Sequence, residues 1–272
     1  MSKNLAKKIL EANIEYHSKM GKEYSKQPHY KKETVIRVEK IIKKLASQTS
    51  GKRLLDIGCG SGFIIDIAKR YFDEVVGVDI TSAMLQQVKK AKNVRTILAD
   101  SSKLPLEDNY FDVCTSFLFL HHLYKIEPAI KEAHRVLKKG GIYYNDKDPN
   151  YYFFLKFSQI PPRNDFSETM KQEIFSLTSQ AENYKSYRIN KEILDLAEYQ
   201  RMYKLGFEEE ELSKILHKIG FKKIDIFYDW YAGQGKIIKR SPKLAQDIDS
   251  YLRELLPASR DLYKYLGFLA QK

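Results

Sequence analysis

Apolar residues at Leu5, Ile9, Ala12, Tyr16 and Met20 recur in steps of four, three, four and four, the period of one helix face. Pro28 interrupts the pattern. A second stripe, Val35, Val38, Ile42 and Leu45, predicts another helix. From residue 51 the pattern changes to short apolar runs separated by helical stretches. It predicts strands at Arg53–Ile57, Glu74–Asp79, Val94–Ala99, Tyr110–Ser116 and Gly141–Asp146. Helices are expected between them at Gly62–Tyr71, Ser82–Lys90 and Glu127–Leu137. Strands alternating with helices in this way imply an α/β fold with a doubly wound, parallel sheet and right-handed crossovers. Ligands of such a sheet bind outside the carboxyl ends of its strands.

The rhythm breaks after residue 150. A segment rich in aromatics and mixed charge, with Pro161-Pro162, reads as a helical insertion. The pattern then resumes with a helix at Glu208–Ile219, a strand at Phe221–Tyr228, a helical segment near 242–256 and a last strand at Tyr265–Gln271. Four parts follow: a helical arm (1–50), a core (51–149), the insertion (150–207), and the completion of the core (208–272).

Charge changes the picture less than its total suggests. The chain has 272 residues and a formal net charge of +12. Residues 1–50 hold 12 basic and 5 acidic residues, whereas residues 51–150 hold 15 and 13. The excess is concentrated in the arm and is Lys-dominated, which argues weakly for specific nucleic-acid reading. Two cysteines, Cys59 and Cys114, exclude a disulfide scaffold and a four-thiolate zinc site. No secretory signal and no run of about 20 apolar residues is present, so a cytoplasmic protein is expected.

The chemistry concentrates in Leu54-Leu55-Asp56-Ile57-Gly58-Cys59-Gly60-Ser61-Gly62. Glycines at alternate positions after a strand permit a sharp turn and close approach of a ligand, and the following helix offers free N–H groups. The spacing is not that of a dinucleotide loop, which would need glycine where Phe63 stands. Nor does it carry the Lys-Ser/Thr of a P-loop. Asp56 beside the loop repels a pyrophosphate and suits a zwitterion. Asp79 closes the second predicted strand, where a carboxylate accepts hydrogen bonds from both ribose hydroxyls. Asp100 closes the third, placed to accept from an adenine amino group.

Together LLDIGCGSGF, VVGVDITSAML, LADSSKLPLEDNYFDVCTSFLFLHHL and RVLKKGGIYY resemble the class I S-adenosylmethionine-dependent methyltransferases. The likeness is greatest to the small-molecule branch that includes quinone-biosynthesis C-methyltransferases. The resemblance implies a seven-stranded, mostly parallel, Rossmann-like sheet with helices on both faces and S-adenosyl-L-methionine as cofactor. It further implies that Asp56 and the loop Gly58, Cys59, Gly60 and Gly62 hold the methionine end, and Asp79 the ribose. By the same likeness Ile80 and Met84 pack on the adenine, Asp100 and Ser101 read its edge, and Phe117 lies against the methionine portion. In relatives with such an arm it folds over the cofactor, which places Tyr16 and Tyr24 near the site as part of a lid.

The reaction so implied is an in-line displacement in which the protein positions the reactants and excludes water. His121 and His122 follow the fourth strand and are candidates for a general base, one of them being expected to be structural. Asp148 either orients an acceptor or caps the next helix. The histidines show no spacing typical of a zinc site, so no metal is expected. The motifs of enzymes that methylate exocyclic amines of nucleic-acid bases, or the C5 of RNA cytosine, are absent. A small-molecule acceptor is therefore expected, with no specific nucleic acid. The aromatics Tyr151, Tyr152, Phe153, Phe154, Phe157, Phe166, Phe175, Tyr184 and Tyr187 either pack the insertion onto the sheet or form a wall that would suit an apolar or ring-containing acceptor. Leu252, Leu255 and Leu256 leave open a homodimer contact or a peripheral membrane contact. An RNA or protein methyltransferase using the basic arm, and a non-catalytic cofactor-binding module, are the alternatives.

Overall fold

A computed structural model describes residues 2–21, 31–49, 51–161, 163–178 and 189–272. Tyr24, Tyr184 and Tyr187 lie outside these described residues. In chain order the elements are α1 (Ser2–Met20), α2 (Lys32–Gln48), β1 (Arg53–Ile57), α3 (Phe63–Ala68), β2 (Glu74–Asp79), α4 (Ser82–Leu85), β3 (Val94–Leu98) and β4 (Phe111–Phe117). Then come α5 (Glu127–Val136), β5 (Leu137–Pro149), α6 (Tyr151–Ser158), α7 (Glu168–Thr178), α8 (Lys191–Ala197), α9 (Tyr199–Lys204), α10 (Glu209–Ile219), β6 (Lys222–Tyr231), α11 (Gln234–Arg240), α12 (Pro242–Glu254) and β7 (Tyr263–Gln271).

The seven strands form one sheet in the order β3-β2-β1-β4-β5-β7-β6. The first five pair in parallel. β7 is antiparallel to both β5 and β6, so the sheet is mixed rather than wholly parallel. β1 is buried on both faces, as a central parallel strand must be. Leu54 faces α2 and α3 with Val38, Ile42 and Ile64. Leu55 faces the opposite layer with Ile130, Leu212 and Leu216. One residue of register thus separates the two cores.

Several boundaries differ from the sequence pattern. α4 stops at Leu85, having only Met84 fully buried, too little apolar face to carry a longer helix. β5 runs thirteen residues, through Gly140-Gly141 and on to Pro149, and bulges between its pairings with β7. The bulge contains Lys147 at φ 66. The Lys147 ammonium reaches Asp229 at 2.5 Å and lies over the rings of Trp230 and Tyr265. Arg37 of α2 contacts Asp146 at 2.6 Å and Asp229 at 3.3 Å, tying the second arm helix to two strands.

The first part of the insertion packs on itself, whereas Ile189, Leu194 and Ala197 pack against Ala12, Tyr16 and Met20 of α1. Phe153, Phe154 and Phe157 form a cluster with Met170, Ile174, Leu205 and Ala232. On α12 and the residue after it, Leu244, Tyr251 and Leu255 are exposed. Among the described residues no helix is long and apolar enough to cross a membrane.

Candidate functional site

The carboxyl ends of β1, β2, β3 and β4 enclose a cavity of about 300 Å³. That size lies at the lower end of small-molecule pockets. Its floor is Gly58, Gly60, Asp79, Ile80, Thr81 and the segment Ala99–Ser102. Its roof is α1, through Ala6, Ile9, Leu10, Asn13 and His17. The turn after β4 closes it with Leu118, Phe119, His122, Leu123 and Tyr124.

The floor explains the glycine pattern. Gly58 and Gly60 have φ of 69° and 51°, conformations that favour glycine. A Cβ on Gly58 would lie 2.0 Å from the Phe119 ring, so the aromatic packs directly on bare backbone. The Asp79 carboxylate accepts from Gly60 N at 2.9 Å and Thr81 N at 2.8 Å. Those two bonds lock the acid at the mouth of the loop, with lone pairs left for a ligand. The Asp100 carboxylate accepts from Ser102 N at 2.8 Å, folding the segment after β3 under the cavity.

Of the residues singled out in the sequence, Gly58, Gly60, Asp79, Ile80, Asp100, Ser101 and His122 meet at the cavity. The other described ones do not line it. Asp56 is fully buried and accepts from the Thr115 hydroxyl at 2.8 Å. Burial pushes its carboxyl up to about 8 against the opposing Thr115 hydrogen bond. Asp56 thus lies in the sheet interior beneath the loop and not on the cavity wall. Cys59 packs under the loop beside Gly77, where burial raises its thiol well above the ordinary value. Gly62, at φ 91, precedes α3.

Met84 and Tyr16 pack together with Met20, Leu194 and Ala197, so both back the wall instead of forming it. Phe117 turns away to Phe63, centroids 4.8 Å apart. The reason is Leu118: its φ of 52° reverses the chain after β4 and brings Phe119 to the cavity instead. Phe153, Phe154 and Phe157 pack together within the insertion, which is the packing alternative for these three aromatics.

The two adjacent histidines divide in role. His121 is buried between two carboxylates. Its Nδ1 is 2.7 Å from Asp148 Oδ1 and its Nε2 3.7 Å from Glu198 Oε2. Burial opposes its charge, but Glu198 and Asp148 prevail and raise its proton affinity above the usual imidazole value. Asp148 also accepts from His121 N at 3.1 Å and Asn145 Nδ2 at 2.7 Å. It is thus an orienting group for His121 and is not the cap of α6. That cap is Asn150, whose side chain accepts from Tyr152 N.

His122 lines the cavity, with Nδ1 2.7 Å from Ala197 O. Burial, reinforced by His121 and His17, pushes it well below the usual value, so it is neutral. Sequence spacing gave no sign that Glu198 would join this pair. Atoms of His121, His122 and Glu198 lie within 4.8 Å of one another, the one grouping with metal-ligand spacing among the described residues. Its His122 Nδ1 is already committed to a carbonyl.

Asn13, His17, Thr81, Phe119 and Glu198 were the residues missed. Asn13 and His17 had a readable signal, since residues four apart share a helix face with Ile9. Asn13 Nδ2 donates to Ile9 O at 2.9 Å and to His122 O at 3.0 Å, pinning α1 to the turn after β4.

Comparison with known proteins agrees with this geometry. Residues 55–145 match the family model described as a methyltransferase domain. The chain is 31% identical over 201 residues to a ubiquinone/menaquinone biosynthesis C-methyltransferase of Stutzerimonas stutzeri, covering 66% of this chain and 69% of that one. Among solved structures, an S-adenosylmethionine-dependent methyltransferase of Mesorhizobium loti superposes with a TM-score of 0.55 at 17% identity, covering 86% of this chain and 96% of that one. A phosphoethanolamine N-methyltransferase of Haemonchus contortus, bound to its phosphobase and S-adenosylhomocysteine, gives 0.53 at 17% identity, covering 92% and 59%. The last two are likenesses of fold.

Proposed function

Since the chain belongs to the class I S-adenosylmethionine-dependent methyltransferases, we propose that it methylates a small-molecule acceptor held beneath α1. S-adenosylmethionine is the cofactor, and it supplies an electrophilic methyl group when bound. The cavity residues fit it. Asp79 and the Asp100–Ser102 turn offer acceptors and backbone groups at the ends of β2 and β3, and the glycine loop leaves room beside β1. Thr81 Oγ1 is buried at the same wall with no hydrogen-bond partner, a vacancy that a polar ligand would fill. In this reading Asp79 binds the ribose, Ile80 packs on the adenine, and Asp100 and Ser101 read its edge. His122 is the imidazole available to an acceptor, and His121, Asp148 and Glu198 hold it in place.

The observation that carries the small-molecule reading is the roof. Ile9, Asn13 and His17 of α1 lie directly over the floor, and the Asn13–His122 bond closes the gap. A base in an RNA strand or a side chain on a protein would have to pass this helix. The positive charge of the arm is also partly spent within it, since Lys7 and Lys19 pair with Glu11 and Glu15. Relatives named for quinone biosynthesis make a ring-containing acceptor the first choice for assay.

The test is incubation with methyl-tritiated cofactor and a cell extract separated into small molecules, RNA and protein. Label is expected in the small-molecule fraction. Label confined to RNA or protein would reverse the reading in favour of a macromolecular acceptor.

A further inference from the structure

A second cavity, of about 610 Å³, is lined by the segment Tyr124–Glu127, by α9 and by the start of α10. It meets the first cavity at Tyr124 and Lys125. Backbone groups fix its frame. Gln200 Nε2 donates to Leu123 O at 2.8 Å and to Tyr124 O at 2.9 Å, and Phe207 N donates to Pro149 O at 2.9 Å. A pocket held in this way is formed before any ligand arrives.

Two features give this cavity a chemistry. The first is aromatic. Tyr124, Tyr151, Tyr199 and Tyr203 line it. Three of them form a run, with centroids 5.4 Å apart for Tyr124 and Tyr199 and 5.2 Å for Tyr199 and Tyr203. Elsewhere the protein sets its own cations on such rings. Arg53 lies over Tyr110 at 4.2 Å, Arg260 over Tyr152 at 3.6 Å and Lys147 over Tyr265 at 4.7 Å. Among the described residues, no cation lies over any of the four cavity tyrosines.

The second feature is electrostatic. The charged lining residues are Glu127, Glu208 and Glu211 against Lys125 and Lys204. None of the five forms an ion pair with another described residue. The chain carries +12 overall, so this local excess of acid runs against the charge of the molecule. The starts of α5 and α10 account for acids at these positions, but not for four tyrosines left without a cation. A cation with apolar surface satisfies both features: rings and carboxylates stabilise its charge, and the rings cover its alkyl groups.

We infer that this second cavity is a binding site for a small organic cation of the alkylammonium class. It lies outside the cavity assigned to methyl transfer, and its occupancy is independent of that assignment.

Choline and 3,3-dimethylbutan-1-ol test this, having the same shape with and without the positive charge. Ligand-detected NMR titrations use the full chain saturated with S-adenosylhomocysteine, so that only sites outside the cofactor's own are read. Choline should bind about tenfold more tightly than the neutral alcohol. Tyr199→Leu should weaken choline binding by about tenfold and Glu208→Gln by about threefold, with the affinity for S-adenosylhomocysteine unchanged. Glu208→Gln alters no shape and carries the test if Tyr199→Leu does not fold. Equal binding of the two probes, no saturable binding of choline, or choline binding that both variants leave unchanged would overturn the inference. None of these results would touch the methyltransferase reading, which stands on the other cavity.

Discussion

The floor and the roof of the cavity are made by different means. Each floor residue is the end of a strand plus the turn that follows, and its partners are near in sequence. Asp79 accepts from Thr81, two residues on, and from Gly60, nineteen back. The roof is assembled from distant segments. Asn13 meets His122 across 109 positions, and His122 meets Ala197 across 75. The floor is strand ends held by a sheet, whereas the roof is side chains holding the backbone carbonyls of distant segments. A binding surface that is common to a family can be local, while one that selects a substrate draws on whatever the variable segments bring.

This contrast makes the two halves separable by mutation. The largest effect is expected behind the roof, at the buried histidine next to His122, and on stability. His121→Phe removes a charge between Asp148 and Glu198 and should destabilise the fold by about 3–5 kcal/mol in denaturant titration. The native protein holds that proton above the usual value near 6.5. Its stabilisation is therefore complete below about pH 6.5 and fades as pH rises through the folded value. The variant should lack this alkaline-side loss; an unchanged pH profile would break the assignment.

In the floor, Asp79→Ala should weaken cofactor binding by about 100-fold in calorimetry, with little loss of stability. Undiminished affinity would detach the ribose from this acid. The smallest effect is kinetic. Removal of residues 1–20 should speed release of S-adenosylhomocysteine by about tenfold in stopped-flow chase. An unchanged rate would make α1 packing only.

These differences also decide what could be read in advance. Strand ends such as Asp79 and Asp100 are legible because the turn and the acid are adjacent. Phe117 was misread for a conformational reason: the positive φ of Leu118, a residue type that seldom adopts it, carries Phe119 inward instead. Asp56 was read as holding the methionine end because it stands two residues before the glycine loop. Its own environment is the sheet interior beside Thr115. Glu198 was invisible, since nothing in its helix segment marks it as the counter-charge of a histidine 77 positions earlier. The reversal of β7 leaves no trace in its alternation either, because period two is common to parallel and antiparallel strands.

That last strand governs how the molecule can come together. β7 lies between β5 and β6 in the sheet, yet follows both in the chain. Until its nine residues arrive, β5 has one open edge and β6 has no strand partner. A nascent chain carrying the whole cavity floor therefore still exposes unpaired strand, with Tyr228 and Phe268 not yet buried together. Translation pauses and chaperone contacts would matter most over this interval. Truncations near the carboxyl end should produce aggregation-prone chains even though every residue of the cavity is present.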